Sequence, residues 1–313
     1  MKRPGLLAGL AVLALSLFAL SGTAFAHSTH HKKAKPRAES SDPGSSAPET
    51  CVVRALPSHF MDQGEFGSAS SVADIIEVGC EEVYAEKFVR ISANELYSRC
   101  DKKLYWRTPF GNRKDTALAT TGGFSTGSNF SVELDNDGNA TAIVVGGPSC
   151  APGESLIAAH LEVPPFTTVT TPFTVDPPRE TEPRVVATPA SKVEGEIYSD
   201  VATILQVEFP SVFAEEPVWV DFAQVYARCH RSPKTEVITM GDRGVPEVNS
   251  GTESETLYLD NDGNAFAVLV GNSSCASGPS LIEASLENAP YTTLETTFTI
   301  EPPRPTNPVN PGN

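Results

Sequence analysis

LDNDGNATAIVVGGPSCAPGESLIAAHLE, residues 134–162, and LDNDGNAFAVLVGNSSCASGPSLIEASLE, residues 259–287, decide the fold of this chain. A constant offset of 125 carries one onto the other, and over 134–183 against 259–308 it matches 31 of 50 positions without a gap. Such a repeat is the signature of two similar domains in tandem. Each copy opens on a tight turn, read as a hairpin, where Asp-Gly supplies the positive φ of a reversal and Asp and Asn side chains bond local amides. An Ala/Val strand follows, then a loop carrying a cysteine, then another strand. In that last stretch Ile157, Ala159, Leu161 and Val163 alternate with Leu156, Ala158, His160 and Glu162, the period of a half-buried strand. The second copy keeps Ile282, Ala284 and Leu286 but turns Ala158 and His160 into Glu283 and Ser285, which marks the first set as the buried face.

The flanking sequence follows suit. VADIIEV (72–78) matches VATILQV (201–207), EKFVRISANELYSRC (86–100) matches EEPVWVDFAQVYARC (215–229), and TTVTTPFTV (167–175) matches TTLETTFTI (292–300). The pattern is strand-like throughout, with no strong amphipathic helix, and predicts an all-β chain of two β-sandwiches. The first domain is expected over 51–183 and the second over 184–303, with a Pro-rich tail at 304–313. The Pro-Pro run ending the first domain predicts a short, semi-rigid link.

Residues 1–26 read as a secretory signal peptide: Lys2 and Arg3 precede an apolar stretch and the small-residue site Ala24-Phe25-Ala26. The segment 27–50 has almost no apolar residue and reads as a disordered leader. The expected location is therefore secreted, extracellular or loosely associated with the cell surface, with no membrane insertion after cleavage. The formal net charge is −16, and removal of Lys2 and Arg3 makes it more negative. Such a surface repels phosphate backbones, which argues against nucleic acid as a partner. An unknown extracellular or envelope ligand is the expected partner.

Six cysteines in an exported chain predict bridges. Cys100 aligns with Cys229 and Cys150 with Cys275, so the simplest pairing is Cys100–Cys150 and Cys229–Cys275. Cys51 and Cys80 align with Arg184 and Phe209, vanish together, and are read as partners. By chain entropy, a bridge closing a loop of about fifty residues contributes roughly 4 kcal/mol.

The pattern LDNDGNATAIVV–GGPSCAPG–ESLIAAHLEV, repeated as LDNDGNAFAVLV–GNSSCASG–PSLIEASLEN, resembles bacterial immunoglobulin-like domains. In wording it is similar to tandem repeats of exported actinobacterial proteins of unassigned activity. The resemblance covers nearly all of 51–303 and implies an immunoglobulin-like sandwich used for display or adhesion, without a catalytic centre or cofactor.

Candidate sites are few. The DNDGN turns set Asp135 and Asp137, and Asp260 and Asp262, at alternate positions, a pattern that could ligate calcium. A calcium loop, however, needs Gly sixth and Glu twelfth, whereas here Gly138 and Gly263 fall fourth. His27, with His30 and His31 close behind, would become an amino-terminal copper chelator after cleavage, but on a floppy segment. His59, His160 and His230 occupy non-equivalent places, and no Gly-x-Ser-x-Gly elbow occurs. Aromatic pairs shared by the copies (Tyr84/Phe213, Tyr97/Tyr226, Phe166/Tyr291, Phe173/Phe298) are expected in the core. Unshared Trp106, with Tyr105 and Arg107, lies in a basic-aromatic patch and is the candidate binding loop. The sequence thus reads as a non-enzymatic binding or structural protein. Alternatives are a carrier of a small apolar ligand in a sandwich cleft, a calcium-stiffened adhesive rod, and an unrecognised enzyme.

Overall fold

The computed structural model describes residues 51–61, 72–109, 123–147, 150–177, 182–193, 201–229, 235–240, 245–271, 275–288 and 292–302. The signal peptide at 1–26, the leader at 27–50 with His27, His30 and His31, the tail at 304–313, His230 and Tyr291 lie outside these residues. The first half forms β1 (Cys51–Leu56), β2 (His59–Met61), β3 (Ala73–Cys80), β4 (Phe88–Ser92), β5 (Leu104–Arg107), β6 (Ser125–Thr126), β7 (Asn129–Glu133), β8 (Asn139–Gly146), β9 (Gly153–Leu161) and β10 (Thr168–Asp176). They make two five-stranded sheets, β1-β3-β8-β5-β6 and β2-β10-β9-β4-β7.

The second half forms β11 (Arg184–Thr188), β12 (Ser191–Val193), β13 (Val201–Glu208), β14 (Pro217–Asp221), β15 (Glu236–Met240), β16 (Pro246–Ser250), β17 (Ser254–Tyr258), β18 (Asn264–Gly271), β19 (Gly278–Leu286) and β20 (Thr293–Glu301). These repeat both orders, as β11-β13-β18-β15-β16 and β12-β20-β19-β14-β17. Among the described residues the ladders are antiparallel, apart from β2 on β10 and β12 on β20. With β1, β3, β8 and β5 in one sheet and β4, β9 and β10 in the other, each half is an immunoglobulin-like sandwich.

Two stretches expected as strand end in helix: α1 (Asn94–Arg99) and α2 (Ala223–Arg228). Six residues are too few to display a helical period. Their place is explained by what β9 lacks. Its ladder with β4 stops at Ser92–Ala158, and the earlier part of β9 needs other partners on that side. Helix α1 supplies them. Glu95 accepts the Leu156 N–H at 2.9 Å, and Arg99 donates to the carbonyls of Pro152 (2.8 Å) and Glu154 (2.9 Å) and to the Ser155 hydroxyl. In the second half Gln224 accepts the Leu281 N–H, while Arg228 grips the Ser277 and Pro279 carbonyls and the Ser280 hydroxyl. The shared arginine of YSRC and YARC is thus a clamp holding helix to sheet.

The cysteines next to those arginines pair as Cys100–Cys150 and Cys229–Cys275, and the remaining two as Cys51–Cys80. A Cβ at Gly146 or Gly271 would lie within 2.8 Å of both sulfurs of its bridge, which accounts for glycine in both copies. The expected match of Cys51 to Arg184 is displaced by one residue. Gly79 faces Asn139 and Glu208 faces Asn264, so Val52, opposite Gly79, is the true counterpart of Arg184, opposite Glu208. Arg184 forms a two-pronged pair with Glu208, at 2.7 Å for each prong, across the strands that Cys51–Cys80 staples one step away in the first half.

The repeat does not announce that the two sandwiches share a face. Leu205, Val207, Val237, Ala265, Ala267 and Leu269 fill the second core. The residues of opposite parity, Ala202, Ile204, Ile238, Phe266, Val268 and Val270, join the apolar cluster of the first half. Phe60 meets Phe266 edge-on, with ring centroids 5.6 Å apart. Sheet β11-β13-β18-β15-β16 is therefore covered on both sides, and β18 is buried along its whole length. Strands buried on both faces carry continuous apolar runs rather than alternation, as AFAVLV does.

One carboxyl is sealed inside the first sandwich. Asp74 is wholly buried; its Oδ1 accepts the Leu56 N–H at 2.7 Å, while Oδ2 has no partner among the described residues. Burial pushes it well above the usual carboxylate range, against the pull of the Leu56 and Ile75 amides. Its counterpart by register is Thr203, whose hydroxyl donates to the Pro189 carbonyl at 2.8 Å. A carboxyl raised in the folded state stabilises fully below its unfolded value near 3.9, and that contribution is lost as pH rises through the folded value. Asp74→Asn is expected to stabilise by about 1–3 kcal/mol at pH 7, with the gap closing in acid. Urea midpoints of both proteins from pH 3.5 to 7.5 check this; a pH-independent gap would refute it.

Candidate binding cleft

Strand β5 is antiparallel to β8 and directs alternate residues to opposite faces. Leu104 and Trp106 point into the first core, so the expected exposed loop at Trp106 is corrected. Its indole is 0 % exposed, stacks on Phe130 at 5.8 Å, and donates Nε1–H to the Gly127 carbonyl at 2.7 Å. A tryptophan this enclosed is core, and its lack of a counterpart reflects a different core filling: the matching position is Val237. Other expectations about aromatics divide. Phe173 and Phe298 are buried, whereas Phe166 is exposed.

Tyr105 and Arg107 point the other way, towards the second half. Arg107 forms an ion pair with Glu236 of β15, both side chains largely buried at 8 % and 15 % exposed. Its guanidinium carbon lies 5.9 Å from the Phe124 ring centroid, and Phe124 meets Tyr105 edge-on at 6.4 Å. These groups, with Val245 and Val248, line a cleft of about 640 Å³ at the junction of the sandwiches. That volume is in the range of small-molecule sites. Burial raises Glu236 from its ordinary value, while the charge and hydrogen bond of Arg107 pull it back. The cleft thus offers two rings and two valines around a matched charge pair, a lining suited to a ligand with a flat apolar part and a polar edge.

Of the binding residues expected from sequence, the structure brings Tyr105 and Arg107 to this cleft and takes Trp106 away. Phe124, Glu236 and Val248 escaped the reading because nothing local ties them to β5. The only hint was an unshared arginine in one copy and an unshared glutamate in the other.

The DNDGN turns are elsewhere, and they are not hairpins. Each carries the chain from one sheet to the other, β7 to β8 and β17 to β18. Asp135 Oδ1 accepts the N–H groups of Asp137 (3.0 Å) and Asn139 (2.7 Å), and Asp260 Oδ1 does the same for Asp262 and Asn264. Burial raises the Asp135 carboxyl despite those amides. Half of each first carboxylate is committed to shaping the turn. Among the described residues no group of three or more His, Cys, Asp or Glu is arranged to hold a metal ion. His59 lies 3.4 Å from Asp176, and His160 bonds the Thr168 hydroxyl; the two do not converge on a common nucleophile. Among the described residues no helix is long and apolar enough to cross a membrane.

No family model and no curated protein matches the chain. Among solved structures it is similar to invasin, a bacterial integrin-binding protein, at 11% identity and a TM-score of 0.27, over 80% of this chain and 40% of that one. It is also similar to the Yersinia pseudotuberculosis adhesin InvE, at 12% identity and a TM-score of 0.22, over 80% and 58%. A glycosyl hydrolase family 2 member from Bacteroides cellulosilyticus gives 11% identity and a TM-score of 0.26, over 73% and 23%. The chain thus spans less than two thirds of each of these proteins. Likeness at this level carries no inference about activity or partner.

Proposed function

We propose that this chain is a secreted, non-enzymatic binding protein of the cell envelope or extracellular medium, and that its ligand occupies the cleft at Tyr105, Arg107, Phe124 and Glu236. One observation carries the reading. Polar side chains kept in both copies serve the frame (Arg99 and Arg228 as clamps, Asp135 and Asp260 in turns), while the cleft is built from side chains that differ between them. Three disulfides that use all six cysteines fit an oxidising compartment. The signal peptide at 1–26 and the division at residues 183 and 184 belong to the same proposal. The cleft's volume also suits the carrier reading, moved from inside a sandwich to the junction between two.

The test is retention. Full-length secreted protein is mixed with envelope fractions, insoluble polysaccharides and culture extract, and what stays bound is identified. The Tyr105→Ala, Phe124→Ala double variant is expected to lose at least about tenfold in retention, since aromatic anchors of this kind carry 2 kcal/mol or more. Equal retention of variant and parent would reject the cleft as the site.

A further inference from the structure

The sheet β12-β20-β19-β14-β17 turns its outer face away from the second core, and that face carries two exposed rings. Trp219 is 44 % and Tyr258 62 % exposed. Register places them as diagonal neighbours, since Trp219 faces Thr256 and Pro217 faces Tyr258. Four carboxylates lie on this face around the rings, with Glu301 at the far end of β20. Asp221 is two residues along β14 from Trp219 and opposite Glu283, which itself faces Glu295. Glu287 follows Ser285, the partner of Trp219 on β19.

The first half is an internal control for what this face needs in order to fold. Its register is the same: Arg90 faces His160 as Trp219 faces Ser285, and Phe88 faces Glu133 as Pro217 faces Tyr258. There Arg90 is paired with Glu162 at 2.7 Å. In the second half Arg90 has become Trp219, His160 has become Ser285 and Glu133 has become Tyr258, while the carboxylate of Glu162 is kept as Glu287. Ser92, Ala158 and Thr170 have become Asp221, Glu283 and Glu295. So the patch lost its two basic groups, gained the Trp219 and Tyr258 rings against the exposed Phe88 ring lost to Pro217, and gained three carboxylates against one lost. The ladder is unchanged, so the sheet itself requires none of these substitutions, although Asp221 Oδ1 also accepts the Ala223 N–H at 2.8 Å where α2 begins.

We propose that this face binds a cationic polypeptide segment of a partner, one presenting Lys or Arg side chains. A guanidinium or ammonium is attracted to the face of an indole or phenol ring, with tryptophan the strongest. The surrounding carboxylates match its charge, select against anionic partners and speed encounter. Arginine suits both parts of the site, because its plane stacks on a ring while its N–H groups reach carboxylates. An uncharged glycan could use the rings by stacking its C–H faces, but it would draw nothing from the acquired carboxylates, and so it is the competing outcome.

The chain has only two tryptophans, and Trp106 is enclosed, so quenching of emission reports on Trp219. The full-length protein is titrated with a hexa-arginine peptide at low ionic strength, by fluorescence and calorimetry. Saturable quenching is expected, weakened at least about tenfold in 0.5 M salt, where screening shortens to a few ångströms. Trp219→Arg with Tyr258→Glu installs the side chains that the first half carries at these places and is expected to weaken binding at least about tenfold by calorimetry. Phe124→Ala, in the cleft, should leave it unchanged, which separates this site from the cleft. The proposal is overturned if hexa-arginine does not bind, if the double variant binds it equally well, or if Phe124→Ala abolishes binding. It is also overturned if an uncharged hexasaccharide quenches Trp219 and hexa-arginine does not.

Discussion

Glu236→Ala is expected to lower the unfolding free energy by about 3–5 kcal/mol, because it takes a largely buried carboxylate away from the enclosed Arg107 charge. The pair bridges two sandwiches, so the loss should appear in their shared stability. With six apolar side chains of the second half built into the cluster of the first, heating should give one cooperative transition for both, and Glu236→Ala should shift all of it. Replacing both partners, Arg107→Met with Glu236→Met, should cost far less than the single change or even stabilise, since enclosed ion pairs are readily replaced by packed apolar groups. Calorimetry with the two variants side by side is the check. Two separate transitions in the parent, or a double variant as damaged as the single one, would contradict the shared-face architecture.

Gly263→Ala is expected to cost at least about 3 kcal/mol and to remove most folded protein at 37 °C. Two independent faults add. Gly263 has φ +83°, a conformation open to glycine, and an added Cβ would lie 2.1 Å from the Phe209 carbonyl oxygen. That oxygen cannot retreat easily, because the Phe209 N–H donates to the Gly263 carbonyl at 2.8 Å and locks the two segments together. Gly138→Ala should be damaging for the same reason but less so, its Cβ lying 2.5 Å from the Cys80 carbonyl oxygen. Chemical unfolding of both variants gives the order; if Gly138→Ala is the more damaging, the turn geometry does not control the cost.

Legibility of this chain followed the range of the interactions. Alternation in SLIAAHLEV assigned the buried face within the strand, where Ile157, Ala159 and Leu161 are enclosed and His160 is not, but Val163, beyond the end of β9, is only partly buried. The turn glycines were equally legible, because a positive φ is a local demand. Helices α1 and α2 were not, since six residues carry no period and their purpose is to finish the edge of a strand some sixty residues away. Trp106 failed for the opposite reason. Its neighbours Lys102, Lys103 and Arg107 suggested an exposed patch, yet strand alternation turns the indole into the first core and Arg107 towards the second half, where it too is largely buried.

What the sequence determined alone is the duplicated sandwich, its turns and its cysteine partners, because each depends on residues close in the chain or on comparing one copy with the other. Tertiary structure alone decided that the two sandwiches bury a common face, that Arg107 meets Glu236 beside Phe124, and that Trp219 rather than Trp106 is exposed. The runs AIVV and AFAVLV already say that both sides of β8 and β18 are apolar. They do not say against what, because apolar burial has no direction of its own: the hydrophobic effect rewards enclosure by any surface, and only the folded geometry chooses which one.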